Sequence, residues 1–245
     1  MEINYLRRAL AAHIFFPEER PHLADMQVGG PLIVAPNGVS TPSGVRWDGG
    51  SGGYLAWLGR FDPINKGLDL ILEALARIPR SDRPVIHLRG PDARGGRATA
   101  SKLVSHLGLE QWVALGGPLY GEDKWRFLSQ AAGFVFPSRF EAFSLAVGEA
   151  AGIGVPSLVA SFPLGRFLSE RGGAILCSPS PEAVAFGLTR LLSSDASQIG
   201  RAGARIIRTE LGWDVVGRSW LEQADNLLHV GGHRLSAPTL EPHEE

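Results

Sequence analysis

Short apolar segments alternate with longer amphipathic segments along most of this chain. The apolar segments are four or five residues long and are bounded by turn-forming residues, as buried strands are. They predict strands at residues 32–35, 54–58, 85–88, 112–115, 133–136, 157–160 and 173–176. Between them, Leu68, Leu72, Leu75 and Ile78 recur at spacings of three and four, which places them on one helix face.

Further helices are predicted at residues 98–107, 122–132, 145–152, 181–192, 196–210 and 213–229. Regular alternation of strands and helices indicates parallel strands joined by crossover helices. The sequence therefore predicts the α/β class, with one doubly wound parallel sheet in a single Rossmann-like domain.

Three regions follow from this pattern. Residues 31–228 are predicted to form the doubly wound domain, and residues 1–30 a helical extension too short for a second α/β domain. Within that extension, the apolar segment after Arg8 is short and lacks a small-residue cleavage site, which favours an amphipathic helix over a signal peptide. Residues 229–245 have few apolar side chains and predict a flexible tail.

Composition excludes several classes of protein. The chain has 245 residues and a formal net charge of −1, so it has no basic field to attract nucleic acid. No membrane span is expected, because Glu149 and Pro156 interrupt the longest apolar stretch. The single cysteine, Cys177, excludes an intramolecular disulfide and fits a cytoplasmic location. The scattered histidines predict no metal site.

The first candidate site follows the strand at residues 54–58. Ligands of doubly wound sheets bind at the carboxyl ends of the strands. Here Arg60 and Lys66 bring two cations to such an end, just before a helix whose first amides favour an anion. A phosphate or diphosphate suits this arrangement. The alternative is a surface loop with solvated cations.

The second candidate site is the segment from residue 137 to residue 150. Glu141 is expected in the loop and Glu149 one to two turns into the following helix. A carboxylate is rarely placed in an apolar helix without a partner. One carboxylate could accept hydrogen bonds from sugar hydroxyls and the other from ribose hydroxyls. The alternative is a buried salt bridge or a solvated helix edge.

Two glycine-rich turns form the third candidate site. Gly90 follows the strand at residues 85–88, and residues 116–119 follow the strand at residues 112–115. Glycine there would let a flat ring approach the backbone closely. The alternative is a pair of ordinary turns.

Taken in order, these segments resemble the donor-binding half of the GT-B glycosyltransferases, most closely the retaining family 4 enzymes. The resemblance covers about residues 30–228. The matching residues are Pro36-Asn37-Gly38-Val39, Gly59-Arg60 with Lys66-Gly67, Gly90, Leu115-Gly116, Pro137-Ser138 with Glu141 and Glu149, Gly154-Val155-Pro156, and Val159-Ala160-Ser161.

The resemblance implies retaining, metal-independent hexosyl transfer from a UDP-, GDP- or ADP-linked sugar, without a cofactor. By it, Arg60 and Lys66 would hold the donor diphosphate, Glu141 would face the transferred sugar, and Glu149 would bind the ribose. The remaining donor-binding positions that it implies are Gly59, Gly90, Pro118, Leu119, Phe143, Ser144 and Leu145, the last three through backbone amides.

The sequence also departs from the family pattern. Ala142 and Ser144 stand where the family often has glycine, and residues 162–166 replace a usual Gly-Gly and Glu. By the resemblance, a complete enzyme has an acceptor domain before these motifs, and only about 35 residues precede Pro36; we therefore expect the acceptor domain to be missing, and a partner chain carrying it, or self-association, to complete the cleft. A non-catalytic nucleotide-sugar-binding module, a degenerate remnant and a fragment of a longer glycosyltransferase are the alternatives.

Overall fold

The computed structural model describes residues 2–193 and 195–230. Its strands and helices, in chain order, are α1 (Glu2–Arg8), β1 (Ala12–Ile14), α2 (Arg20–Asp25), β2 (Leu32–Val34), β3 (Tyr54–Leu58), α3 (Leu68–Arg77), β4 (Val85–Arg89), α4 (Gly96–His106), β5 (Val113–Gly116), α5 (Gly121–Ser129), β6 (Gly133–Phe136), α6 (Leu145–Gly152), β7 (Ser157–Ala160), α7 (Pro163–Glu170), β8 (Ile175–Cys177), α8 (Pro181–Leu191), α9 (Ala196–Glu210) and α10 (Trp213–Val230).

One compact unit spans residues 37–213 and contains a six-stranded parallel sheet. The strand order is β5-β4-β3-β6-β7-β8. The chain therefore builds the sheet outward from β3 in one direction, returns to β6, and continues in the other direction. The loops that follow β3 and β6 diverge at this switch in direction, which is where doubly wound sheets bind ligands.

Helices cover this sheet on both faces. Every residue of β3, β6 and β7 is buried, which requires packing on each side of the strands. Helix α3 packs against α4 and α8, and α6 packs against α9. The core of this unit therefore lies around the central strands, where Leu55, Trp57 and Phe134 are fully buried.

A second unit combines residues 2–36 with residues 214–230 of the described chain. Strands β1 and β2 pair in parallel, with Ala12 opposite Leu32 and Ile14 opposite Val34. Ala12 and Ile14 cluster with Leu23 of α2, whereas Ile33 clusters with Val216 of α10. The Gln223 amide also exchanges two hydrogen bonds with the backbone of Val34, at 2.9 and 3.0 Å.

The structure changes part of the sequence-based picture. The predicted strand at residues 32–35 pairs with β1 rather than with the six-stranded sheet. The boundaries of the sheet-bearing unit lie after residues 36 and 213, where the sequence predicted them after residues 30 and 228. Residues 1–30 are not purely helical, because they contain strand β1. Along this strand, burial alternates with a period of two: Ala12 and Ile14 are buried and His13 is exposed.

Other elements follow the prediction. The six strands of the sheet and the six helices predicted at residues 98–229 all form, with ends shifted by up to three residues. Helix α7 has no counterpart among the predicted helices. The expected tail begins within α10, and its residues 231–245 lie outside the described part of the chain. Among the described residues, no helix is both long and apolar enough to cross a membrane.

Candidate functional site

The loops after β3 and β6 lie side by side at the switch in strand order. Because β3 and β6 are neighbours in the sheet, residues 59–67 and residues 137–144 leave it next to each other. The predicted phosphate-binding segment and the predicted carboxylate segment are thereby brought together, although about 75 residues separate them along the chain.

Local anchors shape the first of these loops. Phe61 is fully buried and forms an isolated bridge with Asp92, so the chain after β3 stays close to the chain after β4. The Asp62 carboxylate then accepts hydrogen bonds from the backbone and side-chain amides of Asn65. Gly67, which precedes α3, has a φ of 68°, and a Cβ at this position would clash with the carbonyl of Pro137. Glycine thus allows the two loops to touch.

Hydrogen bonds tie the two loops together. The backbone carbonyl of Asn65 accepts from the Ser138 hydroxyl and from the Arg139 amide, both at 2.9 Å. Arg139 binds the two carboxylate oxygens of Asp69 at 2.7 and 2.8 Å and donates to the carbonyl of Ile64 at 2.6 Å. Hydrogen bonding to Asp69 raises the pKa of Arg139. This bidentate geometry holds the start of α3 against the second loop.

Lys66 and Glu141 form an ion pair across the two loops. The Lys66 Nζ lies 2.5 Å from the Glu141 Oε2, and the two side chains are only 16% and 17% exposed. The same ammonium stands 5.8 Å from the centre of the Phe136 ring, within cation–π range. One residue of the first candidate site and one of the second are therefore in direct contact.

Arg60 is the second cation of the first loop. Its side chain is exposed and forms no ion pair with any other residue that the structure describes. The Arg60 guanidinium therefore leaves positive charge available on the same loop as Lys66. This arrangement suits an anionic ligand.

The second loop ends at α6, where Ser144 adopts an unusual backbone conformation. Its φ is 44° and its ψ is 93°, which is strained for any residue other than glycine. The Ser144 hydroxyl accepts a long hydrogen bond of 3.4 Å from the Val147 amide. Because the first amides of a helix have no acceptor within the helix, the start of α6 provides donors next to Glu141.

Glu149 lies in the fifth position of α6 and is paired with a residue that the sequence analysis did not identify. The Lys124 Nζ, on the first turn of α5, lies 2.7 Å from the Glu149 Oε1. The two side chains are 23% and 21% exposed. As expected, Glu141 lies in the loop and Glu149 in the helix. Both carboxylates take part in ion pairs, as in the salt-bridge alternative given in the sequence analysis.

The third predicted segment lies at the same edge of the sheet, beyond β4 and β5. The Gly90 amide donates to the Gly116 carbonyl at 3.3 Å, and a Cβ on Gly90 would clash with the carbonyl of Gly59. Three consecutive strand ends therefore approach each other through glycine. Pro118 is exposed and Leu119 half-buried in the turn that leads to α5.

The site contains contacts that no local sequence pattern indicated. The pairs Lys124–Glu149 and Arg139–Asp69 join residues 25 and 70 positions apart. Their only sequence signal is the presence of charged residues near strand ends and in an apolar helix. Within residues 2–193 and 195–230, no three His, Cys, Asp or Glu side chains are grouped to hold a metal ion.

Comparison with models of known protein families identifies the family of this chain. A family model described as glycosyl transferases group 1 matches residues 52–194, more than half of the chain. No curated protein matches the sequence significantly. The matched segment begins just before β3 and includes the two loops described above.

Several solved structures are similar to this chain. Sucrose-phosphate synthase from Thermosynechococcus elongatus superposes with a TM-score of 0.80 at 22% identity, covering 94% of this chain and 61% of that protein. HepE from Anabaena, solved with UDP and glucose, gives a TM-score of 0.76 at 19% identity over 92% and 66%. TarM from S. aureus, solved with UDP, gives 0.75 at 17% identity over 90% and 45%. These likenesses confirm the predicted Rossmann-like α/β fold, and this chain spans only part of each of these proteins.

Proposed function

The chain belongs to the glycosyl transferases of group 1, and from this premise we propose that it transfers a hexosyl group from a nucleotide-diphosphate sugar to an acceptor. The GT-B resemblance seen in the sequence is thereby confirmed at the level of family and fold. Retention of the anomeric configuration, membership of family 4 and independence of a metal are parts of the proposal.

The contact between Lys66 and Glu141 carries this proposal. It joins a cation and a carboxylate at 2.5 Å, at the switch point of the sheet, where ligands of this fold bind. Arg60 adds an exposed cation on the same loop. Glycosyl transfer needs a cationic site for a departing diphosphate beside a polar site for the sugar, and this pair of loops offers both.

The chemistry follows from the charges. As the bond from the anomeric carbon to the diphosphate breaks, negative charge grows on the leaving oxygen. Arg60 and Lys66 stabilise that charge, aided by the backbone amides of residues 143–145 at the start of α6. Glu141 accepts hydrogen bonds from hydroxyls of the transferred sugar. In this proposal, the two cations take the place of a metal.

The remaining donor contacts complete the nucleotide site. Glu149 accepts hydrogen bonds from the ribose, and Gly59, Gly90, Pro118 and Leu119 border the diphosphate and the base. Uridine diphosphate is the first ligand to test, because structures of HepE contain UDP and UDP-glucose and one of TarM contains UDP.

The acceptor side of the site requires further polypeptide. Three large apolar side chains next to the site loops are exposed: Ile64 at 59%, Phe140 at 71% and Leu145 at 53%. Ile64 and Phe140 lie on the two neighbouring site loops and Leu145 begins α6, and exposed apolar side chains on adjoining segments are typical of surfaces that bind another protein or a ligand. We propose that an acceptor-binding domain, in the same polypeptide or in a partner chain, covers this edge.

Thermal unfolding in the presence of nucleotides tests the donor site. The chain is melted alone and with UDP, GDP, ADP and their glucose conjugates. Ligand at about 100 times its dissociation constant stabilises the folded state by roughly 2.7 kcal/mol. For a chain of this size, the melting temperature should rise by about 5–10 °C.

Matched variants make the test specific. Lys66→Met should abolish the shift, whereas Lys102→Met, which removes an exposed lysine from α4, should preserve it. If no nucleotide shifts the melting temperature of the folded chain, the donor site is refuted. If nucleotides bind but no acceptor or partner yields turnover sensitive to Glu141→Ala, the non-catalytic binding module is the better description.

A further inference from the structure

The ion pair between Lys124 and Glu149 is an unexpected feature of the site. It is half-buried, with a distance of 2.7 Å from Nζ to Oε1, and it joins the first turn of α5 to the middle of α6. A lysine side chain at an exposed helix start normally extends into water. Here the Lys124 side chain instead lies against the Trp125 ring, with Nζ 4.5 Å from the ring centre.

The pair uses only part of its hydrogen-bonding capacity. Lys124 occupies one oxygen of the carboxylate, and within the described residues no donor reaches the other oxygen, Oε2. The Lys124 ammonium has three protons, and one of them forms the hydrogen bond to Glu149 Oε1. The pair thus presents a carboxylate acceptor and ammonium donors side by side, which complements vicinal hydroxyls that both donate and accept.

We propose that Lys124 is the positioning residue for ribose recognition. It fixes the Glu149 carboxylate through Oε1, so that Oε2 accepts a hydrogen bond from a ribose hydroxyl of the bound nucleotide. This inference rests on the proposed nucleotide-sugar function. Lys124 lies five residues after the turn at residues 116–119 assigned to the base, so one segment of chain would contact both base and ribose.

The test compares nucleotides with and without ribose hydroxyls. Dissociation constants are measured by calorimetry for UDP, GDP and ADP, and for their 2′-deoxy and 3′-deoxy forms. A hydrogen bond to a charged acceptor predicts that the wild-type chain prefers the ribonucleotide by about 10-fold or more for at least one hydroxyl. In Lys124→Met this preference should fall below about 3-fold, because the carboxylate loses its fixed orientation.

A matched control separates positioning from charge. Arg126 lies on the same helix, is 62% exposed and pairs with Asp123, so Arg126→Met removes the same charge without touching Glu149. That variant should keep the wild-type preference. If Lys124→Met weakens ribonucleotides and deoxynucleotides by the same factor, Lys124 only adds positive charge and the proposal is wrong. If Lys124→Met does not fold, Lys124→Gln gives the same comparison.

The outcomes distinguish this inference from the function on which it rests. A wild-type chain that binds nucleotides without preferring ribose overturns the role of Lys124 and leaves the donor site standing. A folded wild-type chain that binds none of the nucleotides overturns both. Loss of the preference in Lys124→Met, with retention in Arg126→Met, supports the inference.

Discussion

Replacing Glu141 with glutamine is expected to strengthen the binding of a free nucleoside diphosphate, although it removes a residue proposed to contact the sugar. In the unliganded chain, the Lys66 ammonium is 2.5 Å from the Glu141 carboxylate. A phosphate oxygen hydrogen-bonded to the same ammonium, at about 2.8 Å, lies within about 5 Å of that carboxylate. The diphosphate and Glu141 therefore compete for one cation and repel each other.

The size of the effect follows from this distance. Two unit charges about 5 Å apart repel by about 0.8 kcal/mol in water and by about 3 kcal/mol at an effective dielectric constant of 20. Because the two side chains are 16% and 17% exposed, the local environment lies between these limits. We expect a gain of about 1–2 kcal/mol, which is about 5- to 30-fold in affinity.

Calorimetric titration of the nucleoside diphosphate found to bind measures the change directly. The control for altered net charge is Glu122→Gln, because Glu122 is an exposed carboxylate on α5. This variant should bind the diphosphate with the wild-type affinity. Glycosyl transfer by an assembly that contains Glu141→Gln should fall even as the diphosphate binds more tightly. Unchanged or weaker diphosphate binding in Glu141→Gln would refute the competition between the carboxylate and the diphosphate.

Four features within residues 37–213 give further predictions. Asp69→Ala should lower the free energy of unfolding by about 2–4 kcal/mol, because it leaves the partly buried Arg139 unpaired; urea denaturation measures this loss. Ser144→Gly should raise the melting temperature by about 2–4 °C, since relief of backbone strain is worth about 1 kcal/mol. Burial raises the pKa of the Cys177 thiol to about 12, so a chromogenic thiol reagent at pH 8 should react only after unfolding. Burial lowers the pKa of His87, so the unfolded chain binds its proton more readily, and stability should fall as the pH drops below about 6.5; denaturant midpoints from pH 5 to pH 8 measure the slope.

Each of these predictions has its own control. Glu73→Ala removes an exposed carboxylate from the same helix as Asp69 and should cost little, so an equal loss would argue against the bidentate pair. A lower melting temperature for Ser144→Gly would mean that the Ser144 hydroxyl outweighs the strain. Rapid labelling of the native thiol would contradict its burial. His87→Phe keeps an aromatic ring against Tyr54 but cannot bind a proton. If the stability of this variant depends on pH as in wild type, groups other than His87 cause that dependence.

Much of the sheet-bearing unit could be predicted from the sequence, because its strands are short apolar runs and its helices keep a clear period. Helix α9, for example, has the predicted bounds of residues 196 and 210. Since ligands of such sheets bind at the carboxyl ends of the strands, the predicted strand ends alone are enough to group Arg60, Lys66 and Glu141 at one edge.

Other features depend on information that a local pattern does not contain. Strand β1 has three residues, too few to reveal a period of two, and its pairing with β2 is set by the tertiary fold. Helix α7 has proline in its first turn, which is a helix start signal, but it has only eight residues and the sequence analysis did not use this signal. The contact of Lys124 with Glu149 depends on how α5 and α6 dock, which no spacing within either helix can show.

The assembly of the smaller unit from both ends of the chain has a consequence for biosynthesis. The side chain of Gln223 satisfies the backbone of Val34, a residue translated 189 positions earlier. At about 5–20 residues per second, the ribosome needs about 10–40 s to make the intervening segment. The larger unit, which is continuous from residue 37 to residue 213, can fold during that interval. The face of β2 that bears Ile33 packs against Val216 of α10, so it stays open to chaperones or to aggregation until α10 has been translated.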